Sequence, residues 1–445
     1  MIEKINNNTD NIKYLKSQTA FKGFAPSTRF LDGFIKSQEN LSTTRFIQGT
    51  ATNWFPKAVF SRSKADFWEF TFLEFMESGL FYFAAPLLGE HFYRKGLFKK
   101  IQPKNLRQTI HKNLSHSIDQ IEHSNLNKLT KSRLISTKAG MVIACLAVPA
   151  LEYALSFAKN LLTLKVFKIS DFNNVANLNK NGVNTEEKSH QQKVEKHAKY
   201  ELKKAGILSS AGVLTGLLFA AFGHKSKALQ KFSKILLEPG AYLSKKFNVK
   251  SKKLDNFLKE YLKLDFNESD GKLSLSKGQL AATCITGLFG YSSAAKDRGK
   301  LDFYEVWTRV PIVVLYTIFG SSLFDSGFKH ILNKNGKFPE LIKKDKDGII
   351  NVPSRNDLPE IAKKLAQKNN TNIEKELETL IRQKSVITGV PYLFSLLVMG
   401  FTLSGVARLW TQIRYNKQHK QQEQNQWTKD NITSTAFQGI HNIKG

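Results

Sequence analysis

Apolar residues in this chain gather into long runs, with polar and basic stretches between them. Spanning a bilayer takes roughly 17–25 mostly apolar residues. Six runs qualify, at 66–89, 139–164, 205–223, 279–295, 305–325 and 385–409. The third (AGILSSAGVLTGLLFAAFG) carries no charge, and the sixth (SVITGVPYLFSLLVMGFTLSGVARL) carries only Arg408 near its end. A helix packed in a soluble core keeps one polar face, so these two runs predict membrane spans. The first contains Glu69, Glu74 and Glu77, and the fourth is short and only moderately apolar. The alternative, buried helices of a soluble fold, is strongest at those two, and six spans is the expected count.

The connections have helical period. Leu106, Ile110, Leu114, Ile118 and Ile121 recur at helical spacing within 104–136, and Leu254, Phe257, Leu258, Tyr261 and Leu262 share one face of 252–264 with Lys on the other. Residues 225–237 and 357–383 read the same way. A basic amphipathic helix beside a membrane segment predicts a place in the interface, with packing of one connecting helix on another as the alternative. Asp270-Gly271 and Asp347-Gly348 each precede a short alternating stretch, which predicts tight turns and short strands. The expected fold is therefore all-α: a multi-pass membrane protein of about six transmembrane helices joined by basic amphipathic helices. Residues 1–64 are expected to be mostly flexible, 65–410 to form the helical membrane domain, and 411–445 to form a polar tail.

Charge refines this picture. The 445 residues hold 67 Lys+Arg against 37 Asp+Glu, a net charge of +30. Such an excess first suggests nucleic acid. Here 55 of the cations are Lys and only 12 are Arg, whereas phosphate and base readers favour the planar fork of Arg. No paired Cys/His spacing or aromatic ribonucleoprotein signature accompanies the charge, so no nucleic-acid partner is expected. The lysines lie in the wet connections, where each contributes on the order of 1 kcal/mol of attraction to an anionic bilayer surface. The expected partners are the lipid bilayer and its anionic headgroups, and the expected location is a membrane (the cytoplasmic membrane in a bacterial source). Cations divide almost evenly between the two sides of a six-span topology, so charge does not orient the chain.

Candidate chemistry is sparse. Acids inside an apolar run are functional suspects, because burying a charge in lipid is costly. Glu152 lies mid-run in the second segment. Glu69, Glu74 and Glu77 fall within about 140° of one another on a helix, so they either line a cavity or form the wet face of an interfacial helix. Together with Arg309, which sits near a span end and could pair with Glu152 or with an acid of the first run, these residues are the candidate substrate or proton path. Pro86, Pro149, Pro311 and Pro391 each stand in a span and predict helix kinks. Gly212 and Gly216, like Gly400 and Ser404, have the small-residue spacing that lets helices approach closely. TAF-x-G occurs at both 19–23 and 435–439. Cys145 and Cys284 make no disulfide framework or four-thiolate site. No catalytic residues, metal or cofactor are expected. The leading functional expectation is a non-enzymatic membrane scaffold or helix-bundle module. A transporter or channel using the intramembrane acids is the alternative, followed by a membrane-embedded lipid enzyme.

Overall fold

A computed structural model describes residues 26–39, 43–80, 94–178, 187–269, 272–344 and 350–441. Among these residues the chain is helical apart from two small antiparallel hairpins. Each hairpin flanks an expected DG turn. Asn267–Ser269 pairs with Lys272–Ser274, and Lys343–Lys344 pairs with Ile350–Asn351. The turn residues themselves lie outside the described residues, as do Pro86, the rest of the first expected span beyond residue 80, and the TAF-x-G copy at 19–23.

Four helices are long and apolar enough to cross a membrane: Lys128–Phe167, Lys188–Lys225, Lys300–Lys334 and Ile373–Gln421. They contain the second, third, fifth and sixth expected spans. The fourth expected span is a helix of ordinary length, Lys277–Lys296, outside this class. The first begins as the helix Lys64–Gly79. Helices Thr28–Glu39 and Thr43–Val59 run through the N-terminal stretch, and the last helix continues from Leu403 to His441.

The chain divides into two compact units, residues 1–40 with 323–392, and residues 41–322 with 393–445. In the first unit, α1 (Thr28–Glu39), α2 (Leu358–Asn369) and the start of α3 (Ile373–Phe394) close on a core of Ile35, Leu341, Ile342, Leu358, Ala362, Leu380, Ile381 and Ile387. Pro359 sits in the first turn of α2, where a missing N–H costs nothing. Asn370 ends that helix in the left-handed region (φ 52°). Arg355 grips Asp32 with two hydrogen bonds of 2.8 and 3.0 Å, and its backbone N–H donates to Glu39 at 2.8 Å. Buried Lys384 adds an ion pair with Glu39 and donates to the Pro353 carbonyl.

The second unit is a helix bundle. α4 (Thr43–Val59) packs on α5 (Lys64–Gly79), which packs on α7 (Ala147–Phe167); α7 also contacts α8 (Lys188–Phe222) and α9 (Lys277–Lys296). α10 (Lys300–Leu315) joins α9 to α11 (Leu403–His441). α6 (Lys128–Cys145) lies along α8, where Gly140 and Gly216 meet. A methyl group on either glycine would overlap the other's carbonyl oxygen. Gly216 thus fills the close-packing role expected from its spacing. Beneath this crossing, Ile110, Leu114, Ile118 and Ile121 of the 104–136 stretch face inward into a core with Leu134, Ile135 and Met141. Lys138 and Asp265 are both fully buried there and pair at 2.7 Å. Burial raises the Asp265 carboxyl above its ordinary value, and the Lys138 charge opposes the rise.

The proline expectations have distinct outcomes. Pro149 is the third residue of α7, just past Leu146, whose N–H bonds back to Ile143 in a tightened turn (3.1 Å) between α6 and α7. Pro311 and Pro391 lie inside their helices, and each is followed by a π-helical turn, Tyr316–Gly320 and Ser395–Thr402. Tyr316 of the first turn and Phe394, just before the second, have ring centroids 6.3 Å apart. Proline removes one helical hydrogen bond, and the looser i→i+5 pattern accommodates the disturbed ladder.

Candidate functional site

Ser63 caps α5 by accepting from the Asp66 N–H (3.0 Å), which fixes the rotation of the whole helix. Asp66, Glu69 and Glu74 then share a stripe at helical spacing, and all three are buried. The expected wet acidic face is therefore replaced by an acidic face turned inward. Its charges are matched by cations from other elements. Arg62 forms a bidentate pair with Glu305 of α10, at 2.9 and 3.0 Å, and reaches Asp66 at 3.3 Å. Arg298, between α9 and α10, donates from Nη1 to both oxygens of Glu69 (2.9 and 3.0 Å) and to Asn160 (3.2 Å). Its Nε lies 3.3 Å from Asp302. Thr163 of α7 also donates to Glu69, and Lys159 stands 3.8 Å from it. Lys57 of α4 pairs with Glu74.

Two aromatic rings complete the arrangement. The Arg309 and Arg408 guanidinium groups lie over Phe70, 5.7 and 4.7 Å from its centroid. Those of Arg62 and Arg298 lie over Phe172 at 5.3 and 5.8 Å. A ring face attracts a cation through its quadrupole. Arg408 also stands 3.6 Å from Asp66. Arginine suits such positions, because one planar group can pair with a carboxylate while stacking on a ring.

The expected site residues thus separate into two groups. Glu69 and Glu74 are consumed by ion pairs. Arg309 is drawn to Phe70 and interacts with Glu77 and Glu305, and no ion pair joins it to Glu152. Glu152 is 4% exposed, with Oε2 hydrogen-bonded to nothing among the described residues. Its carboxyl lies against Gly287 of α9, where a methyl group would stand 3.0 Å from Oε1. Glu77 is the acid that interacts with it, and among the described residues Glu77 Oε1 is likewise buried without a hydrogen bond.

Sequence reasoning passed over Lys57, Arg62, Asp66, Arg298, Asp302 and Glu305. A signal was present. Arg62, Arg298, Arg309 and Arg408 are four of the 12 arginines in a chain that otherwise uses lysine. Each stands at the margin of an apolar run, and three have an acid four residues away: Asp66, Asp302 and Glu305. At the edge of the network, Arg298 also lines a cleft of about 470 Å³ with Asp171, Phe172, His190, Lys300 and Gln418. Among the described residues no three His, Cys, Asp or Glu side chains are grouped to hold a metal. No family model, curated protein or solved structure matches the chain.

Proposed function

We propose that this chain is an integral membrane helical module with a non-enzymatic, scaffolding role, held at its rim by anionic lipid. The observation that carries the reading is the coverage of its apolar helices. Protein buries only 17%, 17% and 6% of the most apolar windows of Lys188–Lys225, Lys300–Lys334 and Ile373–Gln421. Leu214, Leu218, Ile312, Leu315, Leu397 and Val406 all point outward. Apolar surface on this scale needs a lipid or protein cover, and each helix is long enough to cross a bilayer. The helix Lys277–Lys296 and segment 66–89 complete six spans in this reading.

The scaffolding role is supported by how the charges are spent. Most of the buried acids and bases bind one another across helices, which fixes the bundle and leaves few groups free for chemistry. The lipid contact is supported by the helices after the third span. Lys227–Leu237, Pro239–Lys246 and Lys252–Tyr261 carry Lys beside outward-facing Phe232, Phe247, Leu254 and Phe257. Apolar side chains enter the acyl boundary while lysines meet the headgroups.

The test is depth. The full chain is reconstituted in phosphatidylcholine vesicles, with or without phosphatidylglycerol, carrying a nitroxide at position 254 or 257. The expected result is a label accessible to oxygen and shielded from a water-soluble relaxant, more deeply so with phosphatidylglycerol. A label equally open to water in both lipids contradicts the surface contact.

A further inference from the structure

The buried network is unevenly matched. Its acids are Asp66, Glu69, Glu74, Glu77, Glu152, Asp302 and Glu305, and its bases are Lys57, Arg62, Lys159, Arg298, Arg309 and Arg408. Five of the acids have a cation within 4 Å. Glu77 has none that close, but it interacts with Lys57 and Arg309. Glu152 has neither. Among the described residues, Glu77 from α5 is the charged group that acts on it, and Cys284 from α9 also interacts with it.

Gly287 makes the niche that holds the Glu152 carboxyl, because any side chain there would press on Oε1, Cγ and Cδ. An ionised carboxylate in such a place is shut away from bulk solvent and, among the described residues, has no cation within 4 Å and no hydrogen-bond donor at Oε2. That combination costs several kcal/mol. Two acids that share a site release their protons in separate steps, because the second negative charge is opposed by the first.

We propose that Glu152, with Glu77 beside it, is a proton-binding site inside the bundle, in which Glu152 carries an exchangeable proton at neutral pH. The proton is the ligand that removes the unmatched charge without needing further coordinating oxygens. This inference rests on packing within the second unit alone, so it stands or falls separately from the scaffolding and lipid readings.

The experiment uses the full chain in its membranes at neutral pH, treated with a membrane-permeant carbodiimide. This reagent adds to a protonated carboxyl and leaves ion-paired carboxylates intact. The expected result is one adduct, mapped by peptide mass spectrometry to Glu152, with Glu69 and Glu305 unmodified. Glu152→Gln abolishes it. Infrared spectroscopy supplies a readout independent of reagent access: a protonated-carboxyl band that shifts in D2O and is missing in Glu152→Gln. Labelling of Glu69 or Glu305 in preference to Glu152 overturns the proposal. So does a wild-type spectrum without that band, or one that Glu152→Gln leaves unchanged.

Discussion

Arg62 and Glu305 lie 243 positions apart in sequence and meet as a two-pronged ion pair, Nη1 to Oε2 at 2.9 Å and Nη2 to Oε1 at 3.0 Å. The pair ties the turn before α5 to α10, and the Arg62 bond to Asp66 ties the same turn to α5 itself. Removing one member of a buried pair strands the other's charge, at a cost of about 3–5 kcal/mol. Glu305→Gln and Arg62→Ala are each expected to destabilise the protein on that scale, read as a lower midpoint of denaturant unfolding in detergent micelles. Replacing both by apolar residues of similar volume should recover most of the loss. A double replacement as damaging as the sum of the single ones would show that the pair is not coupled.

Arg298 and Glu69 form the second such lock, with Asn160 and Thr163 contributed by α7. Arg298→Lys keeps the charge but loses the planar fork and the contact with Phe172. It is expected to cost more than an exposed Arg→Lys change, by about 1–3 kcal/mol on the scale of a charged hydrogen bond left unmade. Thermal unfolding of Arg298→Lys beside an exposed control, Arg29→Lys, measures the difference.

At the α6–α8 crossing, Gly140 and Gly216 allow backbone-to-backbone contact. Gly216→Leu forces the two helices apart, and overpacking of this kind typically costs about 1–3 kcal/mol or more. Gly206 has open space around its α-carbon, so Gly206→Ala should be neutral or slightly stabilising through helix propensity. Comparing the melting temperatures of the two variants separates close packing from a general effect of losing glycine.

These cases show what was legible in the chain. The helical class, the four longest apolar helices, the two hairpins and the close approach at Gly216 follow from periodicity, run length, DG turns and small-residue spacing, which are local signals. The pairing of Arg62 with Glu305 is not local. Glu69, Glu74 and Glu77 read as either a cavity lining or a wet face, because an acidic stripe carries no mark of what covers it. The burial of Glu69 and Glu74 depends on Arg298 and Lys57, each from another element. Glu152 was recognisable because apolar residues surround it on both sides. The pairing of Arg309 with Glu152 or a first-run acid rested on depth alone; the structure sets Arg309 over Phe70, with Glu77 rather than Glu152 among the acids that interact with it.

In the first unit, Arg355 holds the Asp32 carboxyl below its ordinary value of 3.8, chiefly through their hydrogen bonds. A carboxyl lowered on folding contributes stability that is present above its unfolded value and is lost as pH falls through its folded value. Acidification below about pH 4 should therefore loosen the contact between α1 and the Arg355 turn. Hydrogen exchange along Thr28–Glu39 is expected to accelerate in that range, and less so in Asp32→Asn, which lacks the titrating group. Equal acid sensitivity in wild type and Asp32→Asn would assign the effect to another residue.

Membrane insertion underlies the whole account, and extraction tests it most directly. Membranes from cells producing the full chain are washed in alkaline carbonate, which strips peripheral proteins and opens vesicles, and then in nonionic detergent. The exposed apolar surfaces of Lys188–Lys225, Lys300–Lys334 and Ile373–Gln421 predict a chain that stays in the carbonate-washed pellet and is released by detergent. Recovery in the soluble fraction, or release by carbonate alone, would contradict it.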